Sequence, residues 1–161
     1  MEEKGDLLSG LAARFPAGVV ETSGTGNDAV AVVRAGALLE IAADLKGGPH
    51  DFAVLLDLTC VDFPGGPERF EMVYHFLSQR EGRRLRLKCR LPADAPAVAS
   101  LTPLWRNADW LEREVYDMFG VVFEGHPDLR RLFMNEEFEG YPLRKDYPLR
   151  KRQPMIPMRN P

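Results

Sequence analysis

The chain has 161 residues, 45% of them hydrophobic and 28% charged, with 21 Lys/Arg against 24 Asp/Glu for a net charge of −3. That length suits one domain able to bury roughly two thirds of the surface its unfolded chain exposes. No stretch approaches the roughly 18 apolar residues that a membrane span needs, and the polar start Met1, Glu2, Glu3, Lys4 does not read as a signal peptide, so any membrane link is expected to run through partners.

In chain order, Leu7, Leu8, Leu11 and Phe15 predict an opening helix, and the segments Gly18 to Glu21 and Ala29 to Arg34 are rich in strand formers. Between the latter two, Gly24-x-Gly26-x-x-Ala29 matches a loose dinucleotide fingerprint. That fingerprint must open a helix, however, and Val30-Ala31-Val32-Val33 follows instead, so the Ser/Gly/Asn run reads as a hairpin turn. Ala37 to Leu45 returns to helical spacing. Three strands come next, Phe52 to Val61, Phe70 to Leu77 and Arg84 to Leu91. Their connections, Pro64-Gly65-Gly66-Pro67 and Gln79 to Gly82, are short enough for an antiparallel meander. Cys60 and Cys89 fall in these strand-like runs and read as small buried hydrophobes of a reducing compartment.

A third helix is predicted with Asp109 as N-cap, Glu112 three positions on, and Gly120 as a left-handed C-cap, about three turns in all. Leu111, Val115 and Met118 fall on one side; Trp110, Arg113, Glu114 and Asp117 fall on the other, with Arg113 and Asp117 spaced to pair. Beyond it, Gly125, Pro127, Gly140, Pro142, Pro148, Pro154, Pro157 and Pro161 forbid a long helix or central strand. Yet Phe123, Leu129, Leu132, Phe133, Met134, Phe138, Tyr141, Leu143, Tyr147, Leu149, Met155, Ile156 and Met158 are too apolar a set for a disordered segment, and they need a surface to cover. Eight Lys/Arg against four acids put Leu129 to Pro161 at +4 and the remainder at −7, so this tail should seek an acidic surface. Nucleic acid fits less well, because Pro and Leu interrupt the basic residues and no aromatic platform accompanies them. The expected architecture is α+β: a small mixed, largely antiparallel sheet with helices on one face in residues 1–125, and an extended partner-binding tail in residues 126–161.

The run Trp110-x-Glu112-Arg113-Glu114-x-Tyr116-Asp117-Met118-Phe119-Gly120-x-x-Phe123-x-Gly125-His126-Pro127-x-Leu129-Arg130-Arg131, followed by Pro142-Leu143-Arg144-Lys145-Asp146-Tyr147-Pro148, resembles the signature of the C-subunit family of the proton-pumping NADH-quinone oxidoreductase, respiratory complex I. Upstream, Phe52-x-x-Leu55-x-Asp57-Leu58-Thr59-x-Val61-Asp62 and Arg69-Phe70-Glu71-x-Val73-Tyr74-His75 resemble the strand region of the same family, with Cys60 a minor departure from the small residue expected there. The resemblance implies a structural subunit of the hydrophilic arm, peripheral on the cytoplasmic face of the inner membrane. It would be docked on the large D-subunit, which helps form the quinone site, and on neighbouring subunits. It would carry neither flavin nor cluster, with quinone reduction belonging to the assembled enzyme. Two other readings stay open: the equivalent subunit of a membrane-bound hydrogenase or related ion-translocating complex, and a free-standing binding module with a basic arm.

No catalytic, cofactor or metal constellation can be assembled from spacing, because His50, His75 and His126 lie in separate segments, apart from the cysteines. His126 reads as a turn residue whose ring bonds a neighbouring carbonyl, with proton relay as the alternative. Glu112, Glu114 and Asp117 could form a proton-handling group, but Arg113 beside them argues for a structural ion-pair cluster. The residues expected to contact partners are Glu112, Arg113, Glu114, Asp117, His126, Arg130, Arg131, Arg144, Lys145 and Asp146. Charge reversal at Arg130 and Arg131 is expected to harm assembly far more than domain stability, and the tail from Leu129 is expected to be loose until a partner orders it.

Overall fold

The structure, a computed structural model, describes residues 6–24 and 26–154. The polar start and the tail residues Met155, Ile156, Met158 and Arg159 lie outside the described residues. Helix α1 spans Asp6–Arg14 and buries Leu7 and Leu11. Strands β1 (Val19–Ser23) and β2 (Ala29–Val33) form the expected antiparallel hairpin, and a short 3-10 turn, Gly26–Asp28, stands where a dinucleotide site would need a helix. Helix α2, Leu38–Gly47, buries Leu38, Ile41, Ala42 and Leu45, the i, i+3, i+4, i+7 stripe of an amphipathic helix.

Strands β3 (Val54–Asp62), β4 (Phe70–Ser78) and β5 (Arg83–Leu91) make the predicted antiparallel meander. The five strands lie in the order β1-β2-β5-β4-β3, with β2 and β5 parallel and every other pair antiparallel. A bulge between Leu55 and Asp57 changes the facing of β3: Leu55 points into the core before it, and Leu58, Cys60 and Asp62 do so after it. One sheet face, built from Ala31, Leu87, Tyr74, Leu58 and their in-register neighbours, is buried under the helices. Among the described residues, no helix lies on the opposite face.

Helix α3, Ala108–Phe119, has the predicted length and ends at Gly120 in the left-handed conformation (φ 73°). Its start differs from expectation. Asn107 occupies the cap position without a side-chain cap bond, and Asp109 lies inside the first turn. Two side chains fix this start to β3 instead: Trp105 Nε1 donates to the Ala53 carbonyl at 3.0 Å and Asn107 Nδ2 to the Leu55 carbonyl at 2.8 Å. Strands β6 (Ala97–Ala99) and β7 (Val122–Glu124), three residues each and parallel, were not legible in the sequence. From Gly125 to Pro154 the chain is extended and turned, as expected, without helix or strand.

Candidate functional site

The tail is held to the body by two carboxylates. The first is Asp117, with no exposed surface, on the outer side of α3. Its Oδ2 accepts the backbone N–H of Leu132 (3.0 Å), Phe133 (2.7 Å) and Met134 (2.9 Å), and its Oδ1 accepts Arg131 Nη1 at 2.8 Å. Burial pushes this carboxyl up, but the three amides and the guanidinium outweigh it and hold Asp117 below the ordinary carboxylate range. One helical turn earlier, Arg113 supplies the complementary donors: Nε to the Arg130 carbonyl at 3.2 Å and Nη2 to the Arg131 carbonyl at 3.3 Å, while its guanidinium lies 5.0 Å from the Trp110 ring centre. The i, i+4 spacing that suggests an Arg113–Asp117 pair instead turns both side chains onto the same strip of tail.

The second carboxylate is Asp62, at the end of β3 and 1% exposed at its side chain. Arg69 grips it with two parallel bonds, Nε to Oδ1 and Nη2 to Oδ2, each 2.7 Å, and reaches Asp146 with Nη1 at 2.7 Å. The Lys145 amide donates to Asp62 Oδ2 at 2.7 Å. Arg69 holds both Asp62 and Asp146 below the ordinary carboxylate range. Between the two anchors, Arg144 lies between the rings of Tyr141 (4.5 Å) and Phe70 (4.9 Å), and its Nε donates to the Phe119 carbonyl at 2.5 Å. Gly120 makes this approach possible: a Cβ there would sit 2.5 Å from the Tyr141 ring and 2.7 Å from Arg144 Nη2.

A third cluster lies at the other side of α3. Glu112, fully buried, accepts Ser100 Oγ at 2.7 Å and the Leu101 amide at 2.6 Å. The His126 ring, with no exposed surface, accepts the Asp128 amide at Nδ1 (3.0 Å), which leaves the proton of the neutral ring on Nε2, donating to the Asp109 carbonyl at 3.2 Å. This is the turn geometry expected of His126, with Asp109 Oδ1 at 3.3 Å and Glu112 Oε2 at 4.0 Å from the same nitrogen. Burial raises the Glu112 carboxyl to about 7, against the lowering effect of its two hydrogen bonds. A carboxyl raised in the folded state binds its proton more tightly there, so its contribution to stability is fully present below the unfolded value of 4.5 and lost as pH rises to about 7. Glu112→Gln keeps an acceptor for Leu101 and a donor for Ser100. It is expected to remove a decline of about 3 kcal/mol in unfolding free energy between those pH values, read by urea titrations along the pH series. A variant with the wild-type slope would show that folding does not raise the Glu112 carboxyl.

Of the residues expected to meet partners, Glu112, Arg113 and Asp117 are buried with their partners inside this chain. Arg131, Arg144 and Asp146 are likewise committed to Asp117, Phe119 and Arg69. Glu114, Arg130 and Lys145 are exposed, and among the described residues the Arg130 guanidinium pairs with its neighbour Asp128 alone, at 2.9 Å. The adjacent Arg130 and Arg131 therefore play different parts, and reversal of Arg131 sets like charge against Asp117 inside the domain. In the arm expected to be loose from Leu129, the amides of residues 132–134 and 145 are hydrogen-bonded within the chain. Sequence reasoning missed Asp62 and Arg69 as site residues. Their signal was an acid and a base at opposite ends of the Pro-Gly-Gly-Pro turn, where the β3–β4 register brings them together.

Among the described residues, no group of three or more His, Cys, Asp or Glu is placed to hold a metal ion, and no helix is long and apolar enough to cross a membrane. Fold and site together define an α+β platform domain carrying a C-terminal arm clasped by buried carboxylates. Residues 31–153 match the family described as respiratory-chain NADH dehydrogenase, 30 Kd subunit. The chain is 51% identical to the NADH-quinone oxidoreductase C-subunit of Sinorhizobium medicae over 98 residues, 61% of this chain and 48% of that protein. Among solved structures, the trypsin-resistant fragment (1-134) of Nqo5 aligns with TM-score 0.65 and 34% identity over 76% of this chain and 96% of the fragment. A chain of the membrane-bound sulfane sulfur reductase, an archaeal respiratory membrane complex, aligns with TM-score 0.77 and 26% identity over 91% of this chain and 87% of its own length. The chain belongs to the 30 kDa subunit family of the respiratory NADH dehydrogenase. It spans about half the length of the first curated relatives it matches.

Proposed function

We propose that this chain is a structural, non-catalytic component of the hydrophilic arm of a respiratory NADH-quinone oxidoreductase, peripheral on the cytoplasmic face of the membrane and docked through its own C-terminal arm on the large D-subunit. The observation that carries this reading is that C-terminal arm. Its backbone is pinned by Asp117 and Asp62, while Phe133, Leu143 and Leu149 are 60%, 52% and 97% exposed, and Trp110 beside it is 60% exposed. Large apolar groups held outward on an anchored backbone are pre-organised for an interface, because ordering costs are met before docking. The exposed Arg130, Lys145, Arg150, Lys151 and Arg152 border this ridge and suit an acidic partner. Glu114 is the remaining exposed charge on α3 that such a partner would meet.

A photo-reactive amino acid at Phe133, in cells making the whole complex, is expected to couple to the D-subunit, and Phe133→Asp with Leu149→Asp to lower assembled quinone reductase about tenfold or more. Coupling at position 133 to no other protein of the complex, with assembly unchanged in the double variant, would remove this reading. The likeness to the archaeal sulfane sulfur reductase favours a second reading, the same platform role in a respiratory membrane complex that is not an NADH-quinone oxidoreductase. The proteins that co-purify with the chain from membranes distinguish the two.

A further inference from the structure

Helices α1 to α3 cover one face of the five-stranded sheet; the other face bears a column of cations along its central strand. Arg84, Arg86, Lys88 and Arg90 occupy alternate positions of β5, so all four side chains project from the uncovered face. In register beside them stand Val30 and Val32 on β2, and Leu77, His75, Val73 and Glu71 on β4. Glu71 takes the two lower cations, lying 2.8 Å from Lys88 Nζ and 3.5 Å from Arg90 Nε. Arg84 and Arg86 have no ion-pair partner among the described residues, and the half-buried His75 between them and Asp57 is held below its usual value by burial and by Arg86, which disfavours a further charge there. At one end the face opens into a trough of about 680 Å³ floored by Val30 and Val32 and rimmed by Glu71, Lys88 and Arg90.

We propose that this uncovered sheet face is a second docking surface, distinct from the arm, and that it seats an acidic amphipathic helix of a neighbouring subunit. The proposal rests on the reading of the chain as one component of a larger complex. Charge and spacing favour that occupant. Cations two residues apart on a strand stand about 6.7 Å from one another, close to the roughly 6 Å rise between carboxylates at i and i+4 of a helix. The half-buried Val30 and Val32 on β2 and Leu77 on β4 offer an apolar strip for the rest of the helix, Val73 being already buried, and a sheet bare on one face has room there for a further layer. The sheet's backbone groups are already paired within the face, so an added strand gains nothing there. A membrane surface fits less well, because Glu71, Glu21 and Asp57 project among the cations and would face anionic headgroups.

The test uses the assembled complex. Arg86→Lys retains the charge and introduces an amine, which a water-soluble carbodiimide joins as an amide to any carboxylate in contact, taking up the water released. The expected product, mapped by mass spectrometry, links position 86 to an Asp or Glu of another subunit. Arg84→Glu with Arg86→Glu is expected to lower the complex recovered with the chain about tenfold, while the melting of the purified chain is unchanged. Coupling at Phe133 to a partner while position 86 links only within its own chain would overturn the proposal and leave the arm reading standing. If position 133 also finds no partner and Phe133→Asp with Leu149→Asp leaves assembly unchanged, both readings fall. Links from 86 to a second copy of this chain, or sedimentation of the purified chain with anionic vesicles that the double variant abolishes, would assign the face to those occupants instead.

Discussion

Asp117→Ala is expected to cost about 3–5 kcal/mol, because it strips the buried partner from Arg131 and from three backbone amides at once. The loss should concentrate in the arm, where hydrogen exchange at Leu132, Phe133 and Met134 should accelerate by about a hundredfold or more. Asp117→Asn grades the effect. Its one carbonyl oxygen has two acceptor sites where the carboxylate has four, so it can serve only part of the present set of Arg131 and three amides. Protection should therefore fall in the order Asp, Asn, Ala. Equal protection in all three chains would mean that the arm is held by its apolar contacts, with Asp117 incidental. Arg131→Glu should resemble the alanine variant, whereas Arg130→Glu should leave stability within about 0.5 kcal/mol, since its one ion-pair partner among the described residues is the exposed Asp128.

The meander, the hairpin and all three helices were legible because each follows one period over several residues: alternation in Leu85, Leu87, Cys89 and Leu91, and the helical stripe of Leu38, Ile41, Ala42 and Leu45. The parallel contact between β2 and β5 was not, since it joins segments some fifty residues apart and no local pattern records it. Strands β6 and β7 are too short to show a period. The α3 motif was found, yet its polar residues were read outward. An ERE-x-x-D run has the composition of a solvated face, and only the returning arm, with its free amides, turns Asp117 and Arg113 into internal anchors. Gly120 was legible as a cap, but its second role, giving room to Tyr141 and Arg144, is a long-range fact.

Arg69→Met is expected to invert the pH dependence of one buried carboxylate. In the native chain Arg69 depresses Asp62, so the stabilisation from this pair is present above the unfolded value of 3.8 and is lost as pH falls through the lower folded value. Without the guanidinium, desolvation is the largest single influence left on Asp62, set against the Lys145 amide and a more distant Arg144, and the folded value is expected to rise above the unfolded one. Such a group loses stability as pH rises past 3.8. The gap between wild type and variant should then be small in acid and grow to about 3–5 kcal/mol at neutral pH, measured by urea unfolding at several values between. The Glu112 decline is common to both chains and cancels in the difference. Asp62→Asn in the Arg69→Met background should close most of the neutral-pH gap, because the ionised group responsible is gone. A gap independent of pH would show that Arg69 stabilises the β3–β4 end by packing on Phe70, where its guanidinium lies 5.1 Å from the ring centre, rather than by neutralising Asp62.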